Sequence, residues 1–535
     1  MAIDNFYTKG IASGWKVSDA SGFTEDRTLE ADVAIVGSGA GGATAAEILS
    51  KAGLKVLILE EGPLKTSDSF KDMDESRAFT ELYWEAGGRA TSDGAIAVLQ
   101  GRSVGGTTVV NWTSSFATPP ETLRHWAEVH DVKGHSPDDM APWFGMMQKR
   151  LGILPWAIPP NPNNHILKAG SEKLGWEWHV IPRNVRGCLN TGYCGMGCPV
   201  NAKLSMLVTT IPGALANGAE LVHHLRVRTV TSDKGQVTGL QCEAFDAPAL
   251  KPSGVKVTVK ARHYILSAGA INTPALLLRS QAPDPHGRVG LHTCIHPVPF
   301  TLAVMPDRIN PFYGAPQSIA SDHFQWKDGA TGPMGYKLEA APMFPSISAS
   351  LFGTTGSILK EEMAQLPNMN ALLALLRDGF VDDSPGGRVR IDDQGLPILD
   401  YDMSAYVWDG VRRAFLSMAE VQFAAGATKV KAVHLDSPYY GSWAQARTGI
   451  EDLELAKFKV ALFTAHLMGG CMMSENEKKG VVNSQGRHHQ LENLSIFDGS
   501  VFPTSIGANP QLSIYGMTAQ NATALAEGLR PRAVA

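Results

Sequence analysis

The sequence contains no long hydrophobic run and no strong excess of charge of either sign. No stretch of about 18 uninterrupted apolar residues occurs, so we expect no membrane-spanning helix. The 535-residue chain carries 47 Lys and Arg against 52 Asp and Glu, and it has no dense basic tract. A nucleic-acid partner is therefore not expected. The first residues also lack the apolar segment of a secretory signal, which predicts a cytoplasmic protein, with peripheral membrane contact left open.

Cysteine is scarce, and internal repeats and low-complexity linkers are absent. Only six cysteines occur, and three of them fall within residues 188–198. In a reducing compartment this content does not indicate a disulfide framework. The length predicts about two to four domains. A hydrophobic content of 44% and a charged content of 19% fit a soluble globular enzyme.

A glycine-rich turn near the N-terminus carries the first chemical signal. Residues 31–63 have the pattern of a strand, a helix and a second strand. Gly37, Gly39 and Gly42 form G-x-G-x-x-G before the helix, whose first free N–H groups would meet a pyrophosphate. Glu60 ends the second strand and would accept hydrogen bonds from a ribose. The unit predicts dinucleotide binding, but by itself it does not distinguish NAD from FAD.

The remaining segments predict an α/β chain with a second, partly antiparallel domain. The recognisable patterns are antiparallel alternation at 219–245, a strand that turns through glycine into a helix at 263–280, a strand pair at 387–404 and a closing helix at 513–529. The stretch from about 300 to 455 is richer in Pro, Met and aromatic residues. This composition indicates a separate substrate-binding domain.

Five motifs occur in order along the chain and point to a known family. They are GRSVGGTTVVNW (101–112), GAINTPALLLRS (269–280), VGLHTCIHP (289–297), HLMGGCMM (466–473) and NLSIFDGSVFPTSIGANPQ (493–511). Together they resemble the signatures of the glucose–methanol–choline (GMC) oxidoreductases, a family of FAD flavoproteins. The similarity runs from about residue 30 to 528 and is closest to the long-chain-alcohol oxidase and dehydrogenase branch. Gln281 departs from the glycine usual after the second motif, and the middle domain matches weakly.

The resemblance implies a fold class and domain bounds. The expected fold is α/β, with a doubly wound, Rossmann-like FAD-binding domain and an α+β substrate-binding domain that contains an antiparallel sheet. The implied FAD-binding domain is discontinuous and comprises residues 28–135, 200–300 and 456–530. The implied substrate-binding domain comprises residues 136–199 and 301–455, with the cysteine-rich connection at 188–198.

The resemblance also implies which residues contact FAD. Beside Gly37, Gly39, Ala40, Gly42 and Glu60, they are Gly105, Gly106, Thr107, Thr108 and Asn111 in the loop over the flavin, Val227 at the adenine, Ala268 and Gly269 at the ribose, and Asp498, Gly499, Pro510 and Gln511 at the ribityl chain and ring. Some family members attach FAD covalently through a histidine in the flavin loop. Val110 stands at that position here, so we expect FAD to be bound non-covalently.

His466 is the predicted catalytic base. It lies in TAHLMGGC (464–471), with no acid within four residues, a setting that alone favours a core histidine. In the family this position is a catalytic histidine, and the position of Asn509 is its partner. A neutral imidazole suits removal of a hydroxyl proton, and an apolar pocket keeps it neutral. Asn509 can hold the alcohol oxygen but cannot act as a base.

The other notable histidines are expected to have structural roles. His296 is interpreted as a structural hydrogen-bonding residue near the domain junction. The pairs His223–His224 and His488–His489 match no catalytic position and are interpreted as surface or strand residues.

The cysteines Cys188, Cys194 and Cys198 leave three interpretations open. Their C-x5-C-x3-C-P spacing resembles that of related bacterial flavin dehydrogenases, which hold an iron–sulfur cluster and pass electrons to a cytochrome. The surrounding pattern also resembles the long-chain-alcohol oxidase branch without a cluster. The third interpretation is packed thiols or one disulfide.

The apolar segment 346–380 bears on the substrate. It is interpreted either as an amphipathic helix packed in the core or as a pliable wall for a lipophilic chain, with an exposed leucine face that could rest on a membrane. We therefore expect oxidation of a hydrophobic primary alcohol to the aldehyde, with oxygen, a quinone or a partner protein as electron acceptor. The alternatives are a sugar or polyol dehydrogenase with an iron–sulfur relay, a non-redox lyase that keeps FAD, or an electron-carrying subunit.

Overall fold

The computed structural model describes residues 5–529. In chain order its strands are β1 Lys16–Asp19, β2 Arg27–Val36, β3 Val56–Leu59, β4 Ile96–Val98, β5 Ile153–Pro155, β6 His179–Val180, β7 Pro182–Asn184, β8 Glu220–His223, β9 Leu225–Asp233, β10 Gln236–Phe245, β11 Pro252–Leu266, β12 Leu291–Thr293, β13 Phe300–Val304, β14 Ile319–Phe324, β15 Tyr336–Ala340, β16 Met369–Leu376, β17 Gly387–Ile391, β18 Pro397–Asp400, β19 Lys429–Ala432, β20 Leu462–Thr464 and β21 Leu494–Ile496.

The helices join these strands and cover the sheets. They are α1 Phe6–Ala12, α2 Ala40–Lys51, α3 Ser67–Phe70, α4 Glu75–Leu82, α5 Pro120–Val129, α6 Pro137–Arg150, α7 Pro162–Leu174, α8 Thr210–Ala216, α9 Gly269–Arg279, α10 Pro345–Phe352, α11 Gly356–Gln365, α12 Ala405–Ala424, α13 Trp443–Glu451 and α14 Gln511–Leu529. Short 3-10 helices lie at Ala20–Gly22, Trp84–Gly87, Gly106–Val109, Met206–Val208, Leu366–Asn368 and Gly499–Val501.

An eight-stranded sheet contains the glycine-turn unit. Its order is β1-β8-β3-β2-β11-β10-β9, and β21 also pairs with the end of β11. The pairs from β1 to β11 and the pair β11–β21 are parallel, whereas β9, β10 and β11 pair antiparallel. All of β3 and the last four residues of β2 are buried, which is typical of parallel strands covered on both faces. The expected Rossmann-like parallel sheet is confirmed.

A second large sheet is antiparallel and has six strands, in the order β19-β13-β16-β15-β14-β6. Every residue of β16 is buried. Because strand side chains alternate between faces, Leu372, Ala374 and Leu376 join the hydrophobic cluster under α12. Leu373 and Leu375 belong to a separate cluster on the opposite face. The expected separate antiparallel sheet is confirmed.

The structure corrects one predicted element and supports another. Segment 346–380 is not one amphipathic helix: α10 and α11 occupy its first part, and β16 its last, because the leucines of β16 are buried on both faces of the sheet. The strand pair at 387–404 is present as β17 and β18. Among residues 5–529, no helix is both long and apolar enough to cross a membrane.

The proposed domain bounds stay a prediction. The strands of the eight-stranded sheet come from residues 16–266 and 494–496, and those of the six-stranded sheet from residues 179–432. β1 therefore joins the first sheet although it precedes the predicted start at residue 28.

Candidate functional site

One cavity of about 630 Å³ is lined by residues of both large sheets. Its walls include the carboxyl ends of β2 and β3 and the turn that follows β11, together with residues of β15 and β16. Ligands of open α/β sheets bind outside the carboxyl ends of the parallel strands. The position therefore matches a nucleotide site that continues into a substrate site.

The glycine turn presents an open helix terminus to this cavity. Gly39 is the N-cap of α2 and supplies no side-chain cap, so the first helical N–H groups remain free. Gly39, Ala40 and Gly41 line the cavity. A Cβ on Gly39 would meet only the Cα of Gly106, at 3.9 Å, so the space beside it is open. This arrangement fits a pyrophosphate.

The other two glycines of the motif are needed because backbone atoms pack closely against them. Gly37 has φ +96°, and a Cβ there would lie 2.3 Å from the carbonyl oxygen of Ser267. A Cβ on Gly42 would lie 2.0 Å from the carbonyl oxygen of Gly37. Gly42 is not among the residues that line the cavity. It allows α2 to pack closely against β2 instead of contacting the cofactor.

Glu60 lines the cavity, but its carboxylate already accepts hydrogen bonds from the protein. Oε2 accepts from the backbone N–H of Ser38 at 3.0 Å and from its hydroxyl at 2.6 Å, and Oε1 accepts from the N–H of Gly62 at 2.8 Å. Burial raises the pKa of Glu60 against the lowering effect of these hydrogen bonds. A carboxylate has about four acceptor positions, so one remains for a ribose hydroxyl.

The flavin loop is held from both ends. The N–H of Gly105 donates to Ser38 Oγ at 2.9 Å. Gly105, with φ +97°, is the N-cap of the 3-10 helix Gly106–Val109 and does not line the cavity. Asn111 Nδ2 donates to Gln511 Oε1 at 2.8 Å, which ties the loop to α14. Asn111 Oδ1 is buried without a partner among the described residues. It is an acceptor in the cavity wall that a bound cofactor can satisfy.

Asp498 organises the start of α9. Its Oδ2 accepts from the N–H of Gly269 at 2.8 Å and from Thr273 Oγ1 at 2.6 Å, and its Oδ1 accepts from the N–H of Ser500. Burial raises the pKa of Asp498. The carboxylate therefore positions the turn at Gly269, which lines the cavity.

Apart from Gly42 and Gly105, the structure brings the predicted cofactor and catalytic residues together. The cavity is lined by Gly37, Gly39, Ala40, Glu60, Gly106, Thr107, Thr108, Asn111, Val227, Ala268, Gly269, His466, Asp498, Gly499, Asn509, Pro510 and Gln511. The open helix terminus and the orphaned acceptor fit an FAD molecule. Val110 also lines this wall.

Sequence reasoning missed a charged group near Val227. Glu61 accepts hydrogen bonds from Arg102 and Arg226, and all three line the cavity. Burial raises the pKa of Glu61, but the two guanidinium groups outweigh it and hold the pKa below its ordinary value. Two consecutive acids, Glu60 and Glu61, follow β3, and this was the sequence feature that could have indicated a second charged group there.

His466 has a tautomer that its neighbours determine. The N–H of Gly507 donates to His296 Nε2 at 3.1 Å, and His296 Nδ1 lies 3.3 Å from His466 Nδ1. Burial and the neighbouring His466 hold the pKa of His296 well below its usual range, so His296 is neutral and its proton is on Nδ1. His466 Nδ1 must then accept, and the proton of neutral His466 is on Nε2.

The protonation state of His466 follows from its surroundings. Burial lowers the pKa of His466 to about 4. His466 lines the cavity, and its Nε2 has no hydrogen-bond partner among the described residues. The resting ring thus has a free N–H for an oxygen in the cavity. It can accept a proton only when its hydrogen bond from His296 breaks.

Asn509 contacts a buried acid that the sequence did not reveal. Its Nδ2 donates to Glu339 Oε2 at 3.3 Å, and Gln317 Nε2 donates to the same oxygen at 2.6 Å. Burial raises the pKa of Glu339 to about 7, against the lowering effect of Lys337. Asn509 Oδ1 and Glu339 Oε1 are buried without partners among the described residues. No motif marks Glu339, which lies in the weakly matched middle domain.

Apolar side chains form the wall near these polar groups. They are Val110, Trp112, Val298, Leu373, Leu375 and Phe463. Leu373 and Leu375 belong to β16. The apolar wall that segment 346–380 contributes is therefore part of a strand and not of a helix. The arrangement can surround an apolar chain that ends in a hydroxyl group.

The histidine predictions need partial correction. The structural role of His296 stays a prediction: its ring accepts from the N–H of Gly507 and also contacts His466 directly. His223 ends β8, yet His223 and His224 are buried and not on the surface. His488 is buried as well.

The three clustered cysteines lie beside the flavin loop. Lys203 Nζ donates to the carbonyl oxygens of Asn111, at 2.9 Å, and Cys194, at 2.7 Å. All three thiols are free and half-buried. Burial raises the pKa of Cys188. An iron–sulfur cluster at these cysteines stays a prediction.

A doubly wound dinucleotide-binding sheet shares a cavity with an antiparallel sheet, and the cavity contains an imidazole and a carboxamide. This combination defines the class of flavin-dependent oxidoreductases. Two family models described as GMC oxidoreductase match residues 79–298 and 383–518, and a model described as NAD(P)-binding Rossmann-like domain matches residues 35–64. The chain belongs to the GMC oxidoreductase family, whose cofactor is FAD.

Relatives with similar sequences cover nearly the whole chain. A GMC-type oxidoreductase from Sinorhizobium fredii is 30% identical over 510 residues, which is 94% of this chain and 96% of the relative. A long-chain-alcohol oxidase from Arabidopsis thaliana is 27% identical over 543 residues, which is 95% of this chain and 69% of the relative. A GMC-type oxidoreductase from Mycobacterium tuberculosis is 29% identical over 489 residues, covering 91% and 74%.

Solved structures share the fold. Formate oxidase from Aspergillus oryzae superposes with a TM-score of 0.69 at 16% identity, over 95% of this chain and all of the other. A bacterial pyridoxine 4-oxidase gives a TM-score of 0.66 at 17% identity, over 92% and 98% of the two chains. At these identities the likeness concerns the fold alone.

Proposed function

We propose that this protein oxidises a hydrophobic primary alcohol to the aldehyde, using non-covalently bound FAD. The single observation that carries this proposal is the shared cavity, in which His466 and Asn509 stand beside an apolar wall that includes Leu373, Leu375 and Phe463. An apolar pocket with a few convergent polar groups suits a lipophilic substrate with one reactive end. The long-chain-alcohol oxidases among the relatives support the same substrate class.

In this mechanism the chain's own residues bind and orient the alcohol. When bound, FAD supplies the hydride acceptor at N5. His466 Nε2–H and Asn509 hold the alcohol oxygen, and the apolar wall excludes water from the reacting carbon. We propose His466 as the base, as the motif predicts. For this role the proton of His466 must lie on Nδ1, so that Nε2 presents a lone pair to the alcohol hydroxyl, and this requires that the hydrogen bond from His296 Nδ1 first break.

An anaerobic chain-length screen tests the proposal. Alcohols of increasing length are added to the flavin-loaded enzyme, and the flavin absorbance and a dye acceptor are followed. We expect bleaching by the alcohol and a preference for long chains. Absence of bleaching with every alcohol would contradict alcohol oxidation and favour a lyase. Bleaching confined to sugars or polyols would contradict the hydrophobic substrate class.

The His466→Ala variant tests the site. We expect it to retain flavin and to lose flavin reduction by about 10²- to 10⁴-fold, the usual contribution of a positioned acid–base group. His286→Gln, at an exposed position, serves as the control. Unchanged reduction in His466→Ala would remove His466 from the mechanism while leaving the cofactor assignment intact.

The acceptor and the cysteines need separate assays. We propose oxygen, a quinone or a partner protein as acceptor, and peroxide formation compared with quinone or dye reduction distinguishes these cases. Iron and acid-labile sulfide analysis of the purified protein decides whether Cys188, Cys194 and Cys198 hold a cluster. A stoichiometric cluster would favour a dehydrogenase with an electron relay over an oxidase.

A further inference from the structure

Three potential metal ligands converge at the end of β1 and β8, outside the cavity described above. Among residues 5–529, Asp19, His223 and His224 form the one group in which three His, Cys, Asp or Glu ligand atoms lie within 4.8 Å of one another. The parallel register of β1 and β8 places Asp19 beside His223. Neither the family motifs nor the proposed oxidation uses these side chains.

The backbone at His224 makes this convergence possible. Successive side chains of an extended strand point to opposite faces, which would separate the two imidazoles. His224, the residue after β8, has φ +55°, in the left-handed region, so the alternation is broken there. The Nδ1 atoms of His223 and His224 consequently lie 3.1 Å apart. Asp19 is held in turn, because the N–H of Ser21 donates to its Oδ1 at 2.9 Å.

The three ligand atoms lie close enough together to share one ion. His224 Nδ1 lies 2.7 Å from Asp19 Oδ1, and His223 Nδ1 lies 3.9 Å from the same oxygen. With the third side of 3.1 Å, an ion about 2.0 Å from all three atoms would lie almost in their plane, with His223 Nδ1 and Asp19 Oδ1 nearly opposite each other. A tetrahedral shell therefore requires a small rotation of the exposed Asp19 side chain. A distance of about 2.0 Å is the bond length of Zn²⁺ to imidazole nitrogen and carboxylate oxygen.

A single proton has to serve two acceptors in this cluster. Each imidazole nitrogen has one in-plane position, which is either an N–H or a lone pair. His224 Nδ1 must carry the proton to donate to Asp19, and His223 Nδ1 can then only share the same N–H as a second, longer acceptor. A divalent cation would bind all three atoms fully, because it accepts a lone pair from each of them.

We propose that Asp19, His223 and His224 bind one divalent transition-metal ion, Zn²⁺ in the first place. Two imidazoles and a carboxylate form a borderline ligand set that suits Zn²⁺ rather than Mg²⁺ or Ca²⁺. The histidine side chains are 8% and 6% exposed and the Asp19 side chain is 47% exposed, so the ion can enter from solvent and keep water as its fourth ligand. The ion links the N-terminal strand β1 to β8, close to Arg226 and Val227 of the cavity.

Zinc titration of the flavin-loaded protein tests the site. After dialysis against a chelator, isothermal titration with ZnCl₂ should show one high-affinity Zn²⁺ per chain, and the melting temperature should rise with bound zinc. Asp19→Asn and His223→Gln should each weaken this binding by at least ~10-fold, since even an outer partner of a metal ligand contributes that much. His286→Gln, at an exposed histidine, should bind zinc like the wild type. Absence of binding, or binding unchanged by Asp19→Asn, would overturn the proposal.

X-ray absorption of the one-zinc protein separates this site from the free cysteines. We expect a first shell of nitrogen and oxygen with imidazole scattering, and sulfur in that shell would reject the proposal. Circular dichroism and flavin content verify the fold of each variant. If a histidine variant does not fold, the half-exposed Asp19→Asn variant and the wild-type absorption spectrum still decide the question.

Discussion

At the scale of single residues, the contacts of His466 matter more than its motif. His296 accepts a hydrogen bond from Gly507 on one ring nitrogen and therefore donates from the other, which leaves His466 with its proton on Nε2. His296 is thus a positioning residue, since it acts on the reaction through the ring of His466. A substrate oxygen would first meet the Nε2–H donor of His466. The ring can act as a base only after its hydrogen bond to His296 rearranges.

Replacing His296 tests this chain of hydrogen bonds. His296→Phe removes both bonds, frees the ring of His466 and should slow flavin reduction by about 10²-fold, as expected for a misplaced catalytic group. His296→Asn keeps a donor near the Nδ1 position and should recover part of the rate. The measurements are anaerobic reduction kinetics and the ¹⁵N shifts of His466. Identical ¹⁵N shifts in wild type and His296→Phe would show that His296 does not set the tautomer.

Glu339 predicts a pH dependence of stability. Burial raises its folded pKa to about 7, above the value of ~4.3 in the unfolded chain. Between these values the folded state binds more protons, so stability falls as pH rises from about 4.5 through 7. Glu339→Gln removes this effect, and its melting temperature relative to wild type should increase by about 2 °C from pH 5 to pH 8. Calorimetry checks this, with the exposed Glu361→Gln as control; a difference independent of pH would refute it.

At the scale of elements, the glycines in the turn from β2 into α2 have two different roles. Gly39 faces open space in the cavity, whereas Gly42 lies against the backbone of Gly37. The motif names both residues equally. Only the packing of α2 on β2 shows that one position meets the cofactor and that the other supports the fold.

A matched pair of substitutions distinguishes the two glycines. Gly39→Ala should fold and weaken FAD binding by about 10-fold or more, because its methyl group occupies the space for the pyrophosphate. Gly42→Ala should lower the melting temperature even with excess FAD, because its Cβ would lie 2.0 Å from a carbonyl oxygen. Flavin titration and thermal unfolding give both values. Equal FAD affinity in Gly39→Ala and the wild type would contradict the assignment.

Strand β16 makes a second element-scale prediction. Leu375 lines the cavity, while Leu372 belongs to the cluster under α12. Leu372→Ala should cost about 2–5 kcal/mol of stability and leave the chain-length preference unchanged. Leu375→Ala should shift the preference towards longer or bulkier alcohols by enlarging the cavity. Relative kcat/KM across an alcohol series measures the shift, and the same series for both variants would argue against β16 as the substrate wall.

At the scale of the whole molecule, one cofactor site joins two sheets. The cavity takes residues from β2, β3 and β9 of one sheet and from β15 and β16 of the other. A ligand that binds only the folded state stabilises it by mass action. FAD is therefore expected to stabilise both parts of the chain together.

Removal of flavin tests this coupling. The apoprotein should melt at a lower temperature, and FAD at 100 times its Kd should restore about 2.7 kcal/mol of stability. Calorimetry across an FAD series, with NAD⁺ as the control nucleotide, measures the effect. A melting temperature independent of FAD would contradict a shared site.

The sequence alone determined the parts that depend on local chain chemistry. The glycine turn, the parallel βαβ unit and the strand pair at 387–404 follow from short motifs, because backbone conformation and side-chain spacing are local properties. The helix expected at 346–380 failed for the same reason: an apolar run cannot reveal whether a sheet covers it on both faces. The roles predicted for His466 and Asn509 come from the family resemblance instead.

Only the tertiary structure decided the contacts between distant segments. His296 and His466 are 170 residues apart, and so are Glu339 and Asn509, yet each pair meets at the cavity. The convergence of Asp19 with His223 and His224 likewise depends on the register of β1 against β8. Sheet order and register set these distances, and no local pattern of the chain encodes them, which is why the tautomer of His466, the acid beside Asn509 and the proposed metal site appear only in the folded protein.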